Sequence, residues 1–134
     1  MSDKGTASGI TMRQEHRADL LLIDGYGDGG FRVKGRHFNG PVIIMENGVW
    51  PIKLTSDGAI DVEVVEKLYN NEPRPEVILL GTGENMTPPE KLLRDAFKAK
   101  GLSFDPMDSG AAARTYNVLL IEGRRVAALL MPLD

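Results

Sequence analysis

Polar side chains gather in two short loops that each follow an apolar run and precede a helical pattern. The loops are GTGENM (81–86) and PMDSG (106–110). A helix N-terminus presents unpaired amide groups and a positive dipole, which attract anions. Arg114 follows Gly110 by about one turn on the same helix face, so its guanidinium could reach an anion held there. The candidate ligand-binding residues are Thr82, Glu84, Asn85, Asp108, Ser109, Arg114, Tyr116 and Asn117.

A structural role for the same residues stays open at this point. Glu84 could pair with Arg114, and Asp108 and Ser109 could do no more than cap the helix that follows them. The remaining two residues, Tyr116 and Asn117, could satisfy loop carbonyls, as buried polar groups usually do.

The residue patterns of common catalytic and metal sites are absent from the sequence. It has no cysteine, which excludes disulfides and thiolate chemistry, and His16 and His37 show neither metal-ligand spacing nor a paired nucleophile. GTGENM lacks the lysine of a phosphate loop. GYGDGG (25–30) has the glycine spacing of a dinucleotide motif, but strand-like FRVKG (31–35) follows it, so we predict a β-turn. We therefore expect no catalytic residue, no metal and no cofactor.

The elements that must position the loops form a strand–helix–strand–helix–strand series. Crossovers in such a series are right-handed and its strands parallel, so both loops should lie at the same C-terminal edge of the sheet. A capping box, Thr87 to Glu90, predicts where the first helix begins. The predicted strands are 76–80, 102–104 and 125–131, and the predicted helices are 88–100 and 110–122.

The N-terminal half predicts β-hairpins. A strand is expected at 19–24, and Asn47-Gly48 is a turn between two apolar runs, with Pro51 marking an edge strand. A helix follows at 61–69, with Asp61 as its N-cap. The predicted fold class is α/β, a three-layer domain with a mixed central sheet, a β-hairpin-rich N-terminal half and a βαβαβ C-terminal half.

Composition and charge narrow the class of protein. The 134 residues predict a single domain at 18–134, preceded by a flexible polar tail at 1–17. The net charge is −3, without a block of Lys or Arg, which argues against nucleic acid as a partner. The apolar runs are too short to span a membrane, and the first residues do not look like a secretory signal. We expect a soluble, cytoplasmic protein.

The segments VILLGTGE (77–84) and MDSGAAARTYN (107–117), with GYGDGGFRVKG (25–35) and NGVWP (47–51), resemble a widespread family of small domains of unknown function. Its mitochondrial relatives include an assembly factor for respiratory complex I, and another animal relative is the adipogenesis-associated protein. The resemblance implies a three-layered α/β fold and supplies no catalytic residues.

Two hypotheses follow. The first is a non-enzymatic accessory protein that binds a protein partner, in line with the complex I assembly role that the resemblance implies. It predicts an exposed apolar patch near Trp50 or Tyr26, and the hairpin edge could also pair two copies as a homodimer. The alternative is a small-molecule or anion-binding domain, or an unrecognised enzyme, using the crevice between the two loops. Replacing Arg114 with alanine should abolish ligand binding in the second case only.

Overall fold

The computed structural model describes residues 19–133, and the predicted tail at 1–17 lies outside them. The described residues form strands and helices in the order β1 (Ile23–Gly27), β2 (Gly30–Val33), β3 (Arg36–Asn39), β4 (Val42–Met45), β5 (Gly48–Pro51), α1 (Glu63–Asn70), β6 (Val77–Gly81), α2 (Lys91–Ala99), β7 (Asp105–Met107), α3 (Ser109–Ile121) and β8 (Val126–Leu130).

The central sheet has five strands in the order β5-β4-β8-β6-β7 and is mixed, as predicted. Strand β4 runs antiparallel to β5 and β8, whereas β6 runs parallel to β7 and β8. Every residue of β8 is buried, because the strand is central and has apolar layers on both faces. Pro51 ends β5 at the sheet edge, where its missing N–H costs no ladder hydrogen bond.

Apolar side chains cover both faces of this sheet, which gives the three layers that the sequence predicts. On one face, α3 and a small antiparallel sheet, β1-β2-β3, pack against alternate residues of β8 such as Ala128 and Leu130. On the other face, α1 and α2 pack against Ala127 and Leu129. The fold class is confirmed.

The glycine-rich segment 25–30 is a hairpin connection, as predicted. Asp28 and Gly29 both have positive φ, 54° and 75°, which is the type I′ geometry that matches the twist of paired strands. The first strand nevertheless lies later than the predicted 19–24, because Gly25 and Tyr26 still pair with β2.

The predicted strand at 102–104 is wrong. Leu102 and Phe104 follow the end of α2 and pack against the core: the Leu102 amide donates to the Phe97 carbonyl at 3.0 Å, and the Phe104 and Phe97 rings lie 4.5 Å apart. Pairing with β6 begins only at Asp105, opposite Leu79. An apolar run that packs beneath a helix is therefore indistinguishable by pattern from a short strand.

The predicted capping box is also wrong. Helix α2 begins at Lys91, and its N-cap residue Glu90 makes no side-chain capping hydrogen bond. Two consecutive prolines delay the helix, because the residue before a proline is disfavoured in helical conformation. Thr87 instead donates its amide to the Thr82 hydroxyl at 3.0 Å.

Candidate functional site

The two predicted loops meet at the C-terminal edge of the central sheet. The Thr82 amide donates to the Met107 carbonyl at 2.9 Å, and the Ser109 amide donates to the Gly83 carbonyl at 2.8 Å. The Gly83 amide in turn donates to the Ser109 hydroxyl at 2.9 Å. The loops are thus bonded to each other across the space where a ligand was expected.

Ser109 is fully buried and its hydroxyl is used twice. It accepts from Gly83 and donates to the Met131 carbonyl at 2.5 Å, so one side chain joins the ends of β6, β7 and β8. Gly81 lies directly beneath it, because a Cβ at that position would come within 2.9 Å of the Ser109 hydroxyl. Because the Ser109 hydroxyl makes both hydrogen bonds inside the protein, its role is structural, and we call it the clasp between the loops.

Thr82 has a similar role within its own loop. Its hydroxyl donates to the Asn85 carbonyl at 2.7 Å and accepts from the Thr87 amide. Glu84 and the Asn85 side chain are exposed, and no ion pair joins Glu84 to Arg114 in the part of the chain that the structure describes.

Asp108 and Arg114 lie on either side of the first turn of α3. The Asp108 carboxylate accepts from the Ala111 amide at 2.8 Å, so it is the N-cap predicted as one option. The Arg114 guanidinium is exposed and donates to the Tyr26 hydroxyl at 3.3 Å. Tyr26, which comes from the β1–β2 hairpin, sits over Gly110 so closely that a Cβ there would lie 3.0 Å from its hydroxyl.

Tyr116 and Asn117 bond to residues at and just before the start of β1 and hold this segment against α3. The Tyr116 hydroxyl donates to the Leu21 carbonyl at 3.1 Å, and burial raises the pKa of this phenol, which therefore stays neutral. The Asn117 amide accepts from the Ile23 amide at 2.8 Å and donates to the Ile23 carbonyl at 2.9 Å. Both side chains bond to backbone groups, which is the structural role that the sequence left open for them.

The eight predicted residues therefore fall into three places: the bonded loops, the start of α3, and the contact between α3 and β1. Within residues 19–133, no group of three His, Cys, Asp or Glu side chains is placed to hold a metal ion, and no helix is long and apolar enough to cross a membrane.

Two surface features lie outside the predicted crevice, and the first of them includes Tyr26, near which the sequence predicts an exposed apolar patch. The first is an exposed apolar surface on α3. Val118 is 55% exposed and Ile121 is 40% exposed, one turn apart on the outer side of the helix, and Tyr26 is 44% exposed next to Arg114. We call Tyr26, Val118 and Ile121 the α3 face. The sequence indicates this surface through the run VLLI (118–121), because four consecutive apolar residues cover all sides of a helix.

The second feature is a cavity of about 460 Å³ on the opposite face of the central sheet, between the loop before α1 and the start of α2. It shares only Thr82 with the predicted site. We call it the acidic cleft, defined by Asp57, Asp61, Leu80, Glu90, Leu92 and Met131. No sequence motif marks it, since its walls come from segments about thirty residues apart that only the fold brings together.

Known proteins with similar sequence and fold cover most of the chain. An uncharacterized protein of Rhodobacter capsulatus is 36% identical, over 90% of this chain and 92% of its own length. The human NADH dehydrogenase (ubiquinone) 1 alpha subcomplex assembly factor 3 is 28% identical, over 92% of this chain and 67% of its own. A solved structure described as an outer membrane protein from Bartonella henselae superposes with a TM-score of 0.73 at 36% identity, covering 86% of this chain and 99% of that one.

The family model described as a protein of unknown function (DUF498/DUF598) matches residues 23–131, which include the α3 face, both loops and the acidic cleft. The chain belongs to the DUF498/DUF598 family.

Proposed function

We propose that this protein is a non-enzymatic accessory protein that binds a protein partner through the α3 face. The observation that carries the proposal is the outer side of α3. A helix with apolar residues on all sides is normally buried all round. Here the inner side is buried, through residues such as Ala112 and Leu120, while Val118 and Ile121 remain open to solvent. A partner with an apolar surface would complete the burial.

The hydrogen bonds made by the loop hydroxyls support a binding role over a catalytic one. Both hydroxyls of the crevice, on Thr82 and Ser109, are bonded to loop backbone. A nucleophile needs a base within hydrogen-bond reach, and the Ser109 hydroxyl has only backbone partners in the described structure.

The partner that we propose is a subunit of the respiratory NADH dehydrogenase during its assembly. This step rests on the curated relatives that are named as assembly factors of that enzyme. We propose that the protein is cytoplasmic. Fractionation of cells tests this location, and the test is needed because two similar proteins are named as membrane proteins.

The experiment is a complementation assay with Val118→Asp. Cells from which the gene is deleted should have less assembled NADH dehydrogenase in their membranes, and the wild-type gene should restore it. Aspartate places a charge in the middle of the α3 face at little cost in folding, because Val118 is exposed and the two residues have similar helix propensity. The variant should fold, fail to restore activity and fail to co-purify with subunits of the enzyme.

Met86→Asp is the matched control. Met86 is also an exposed apolar side chain, 56% exposed, but it lies in the first loop and outside the α3 face. It should restore assembly as well as wild type. A Val118→Asp variant that restores assembly fully, or a deletion without effect on the enzyme, would overturn the proposal.

A second candidate function is anion binding at the start of α3, centred on the Arg114 guanidinium, with Ser109 holding the loops together and Asp108 capping the helix beside the site. The observation in its favour is that no carboxylate within residues 19–133 pairs with the Arg114 guanidinium, which lies near the amides of the first helical turn. Phosphate at about 100 times its dissociation constant should then stabilise the protein by about 2.7 kcal/mol. Arg114→Ala should remove that stabilisation, whereas Val118→Asp should not.

Pairing of two copies along β5 is a separate proposal. The strand lies at the edge of the sheet, and only Pro51 in it lacks an N–H group. Sedimentation equilibrium should show a dimer, and a change of Val49 to proline should return it to a monomer. A monomer at high protein concentration contradicts the proposal.

A further inference from the structure

The acidic cleft is a sizeable recess beside the C-terminal edge of the central sheet, and the proposed function leaves it unused. Its floor is formed by the end of β6 at Leu80 and by Met131 just after β8. One wall is the turn and loop before α1, which include Asp57 and Val62. The other wall is the segment 87–93, which leads into α2.

Hydrogen bonds hold both walls in place without a ligand. In the first wall the Thr55 amide donates to the Ala59 carbonyl at 2.7 Å, and the Asp61 carboxylate accepts from the Glu63 amide at 2.9 Å. In the second wall the Thr87 amide donates to the Thr82 hydroxyl. A recess with fixed walls loses little conformational entropy when it is filled, which favours binding.

Among residues 19–133, the side chains that line the cleft carry negative charge and no positive charge. Asp57, Asp61 and Glu90 line it, and no Lys or Arg does. Neither cation in the first turns of α2 lines the cleft. The Lys91 ammonium pairs with Asp95 at 2.7 Å, and the Arg94 guanidinium donates to the carbonyl of Pro89, a residue of the second wall, at 3.3 Å. The potential in the recess therefore favours a cation and disfavours an anion.

Apolar side chains extend the cleft beyond its cavity. Leu92 is 73% exposed on the rim, and Val62 is also exposed, on the opposite wall. A small amine held inside would leave both side chains in water. A polypeptide segment that crosses the recess would cover them while its basic side chains met the carboxylates.

We propose that the acidic cleft binds a polypeptide segment of a partner protein, and that apolar residues in this segment lie next to Lys or Arg. This is a second binding surface, on the face of the central sheet opposite the α3 face, and it does not depend on the function proposed above. The basic residues meet Asp57 and Glu90, and the apolar residues cover Leu92 and the floor around Leu80.

Nuclear magnetic resonance of the ¹⁵N-labelled protein tests the proposal with defined probes. The probes are the capped peptide Leu-Lys-Leu-Arg-Leu, its acidic counterpart Leu-Glu-Leu-Asp-Leu, and hexylamine, each added to about 2 mM, a concentration that reveals dissociation constants near 1 mM. The basic peptide should shift the amide signals of residues 57–62 and 87–93. Raising the salt concentration to about 0.5 M should weaken the binding of this peptide, because salt screens the charges. The acidic peptide and hexylamine should give at most weak shifts.

Charge-neutralising variants give the second readout. Asp57→Asn combined with Glu90→Gln should weaken the basic peptide by about tenfold, since each exposed ion pair contributes a factor of about two to five. Leu92→Ser should weaken it without altering the melting temperature, because Leu92 is mostly exposed. Glu46→Gln is the matched control, since Glu46 is exposed at the β4–β5 turn, at the opposite end of the sheet.

Each other outcome overturns the proposal. If the basic peptide causes no shift at its highest concentration, or if the acidic peptide binds equally well, the carboxylates of the cleft do not attract a basic segment. Shifts centred on the α3 face place the binding elsewhere. Hexylamine that binds as well as the peptide assigns the cleft to a small amine.

Discussion

Replacing Asn117 with alanine separates a structural role from a ligand-binding role for a residue of the predicted site. Its amide group makes two hydrogen bonds to Ile23, one to the backbone N–H and one to the carbonyl. Ile23 is only 7% exposed, so water replaces these partners poorly. The side chain acts as a strand neighbour for β1 at the point where β1 meets α3.

The expected cost follows from those two bonds. Each contributes about 1 to 1.5 kcal/mol, and the buried partners are left unpaired, so the loss is about 2 to 3 kcal/mol. Alanine recovers about 0.6 kcal/mol through its higher helix propensity. The net loss of unfolding free energy should be about 1.5 to 2.5 kcal/mol, which lowers the melting temperature by about 6 to 10 °C.

Urea unfolding followed by circular dichroism measures this change, with Val118→Ala as the matched control. Val118 is the next residue of α3 and is mostly exposed, so its truncation should cost less than about 0.5 kcal/mol. An Asn117→Ala variant as stable as this control would refute the structural role that we assign to the amide.

Three further changes test the account of the central sheet, two at its C-terminal edge and one, at Glu76, at the opposite end of β6. Ser109→Ala removes the clasp between the loops and should cost about 1 to 3 kcal/mol in urea unfolding, whereas Ser103→Ala, at an exposed position, should cost almost nothing. Gly81→Ala places a Cβ within 2.9 Å of Ser109 in a packed site and should cost about 1 to 3 kcal/mol; an unchanged urea midpoint would contradict the close approach. A hydrogen bond from Arg124 lowers the pKa of Glu76, so the stability that Glu76 adds is present above its unfolded pKa and is lost as the pH falls through the lower, folded value. Glu76→Gln should therefore be less stable than wild type at neutral pH and equal to it in strong acid, as measured by urea midpoints at both pH values.

The fold class was predictable because buried parallel strands and amphipathic helices have distinct patterns. The residues Val77 to Leu80 are all apolar, and the strand predicted at 76–80 became β6 (Val77–Gly81), shifted by one residue. Two local errors arose where competing effects gave the same pattern. Leu102 and Phe104 are apolar because they pack beneath α2, and the two prolines at 88–89 oppose the helix that they would otherwise start.

The site was harder to predict, because sequence identifies polar residues without showing what they bond. Parallel topology correctly predicted that the two loops would meet. The directions of Tyr116 and Asn117 depend on how the helix packs against β1, a segment almost one hundred residues earlier in the chain. The acidic cleft was missed for the same reason, since its carboxylates become neighbours only when α1 and α2 pack on one face of the sheet.

The measurement that tests the central claim most directly is the amount of assembled NADH dehydrogenase in membranes of deletion cells that express wild type or Val118→Asp. We predict that wild type restores the enzyme, and that the variant does not while keeping the wild-type melting temperature. Full restoration by the variant would contradict a binding role for the α3 face.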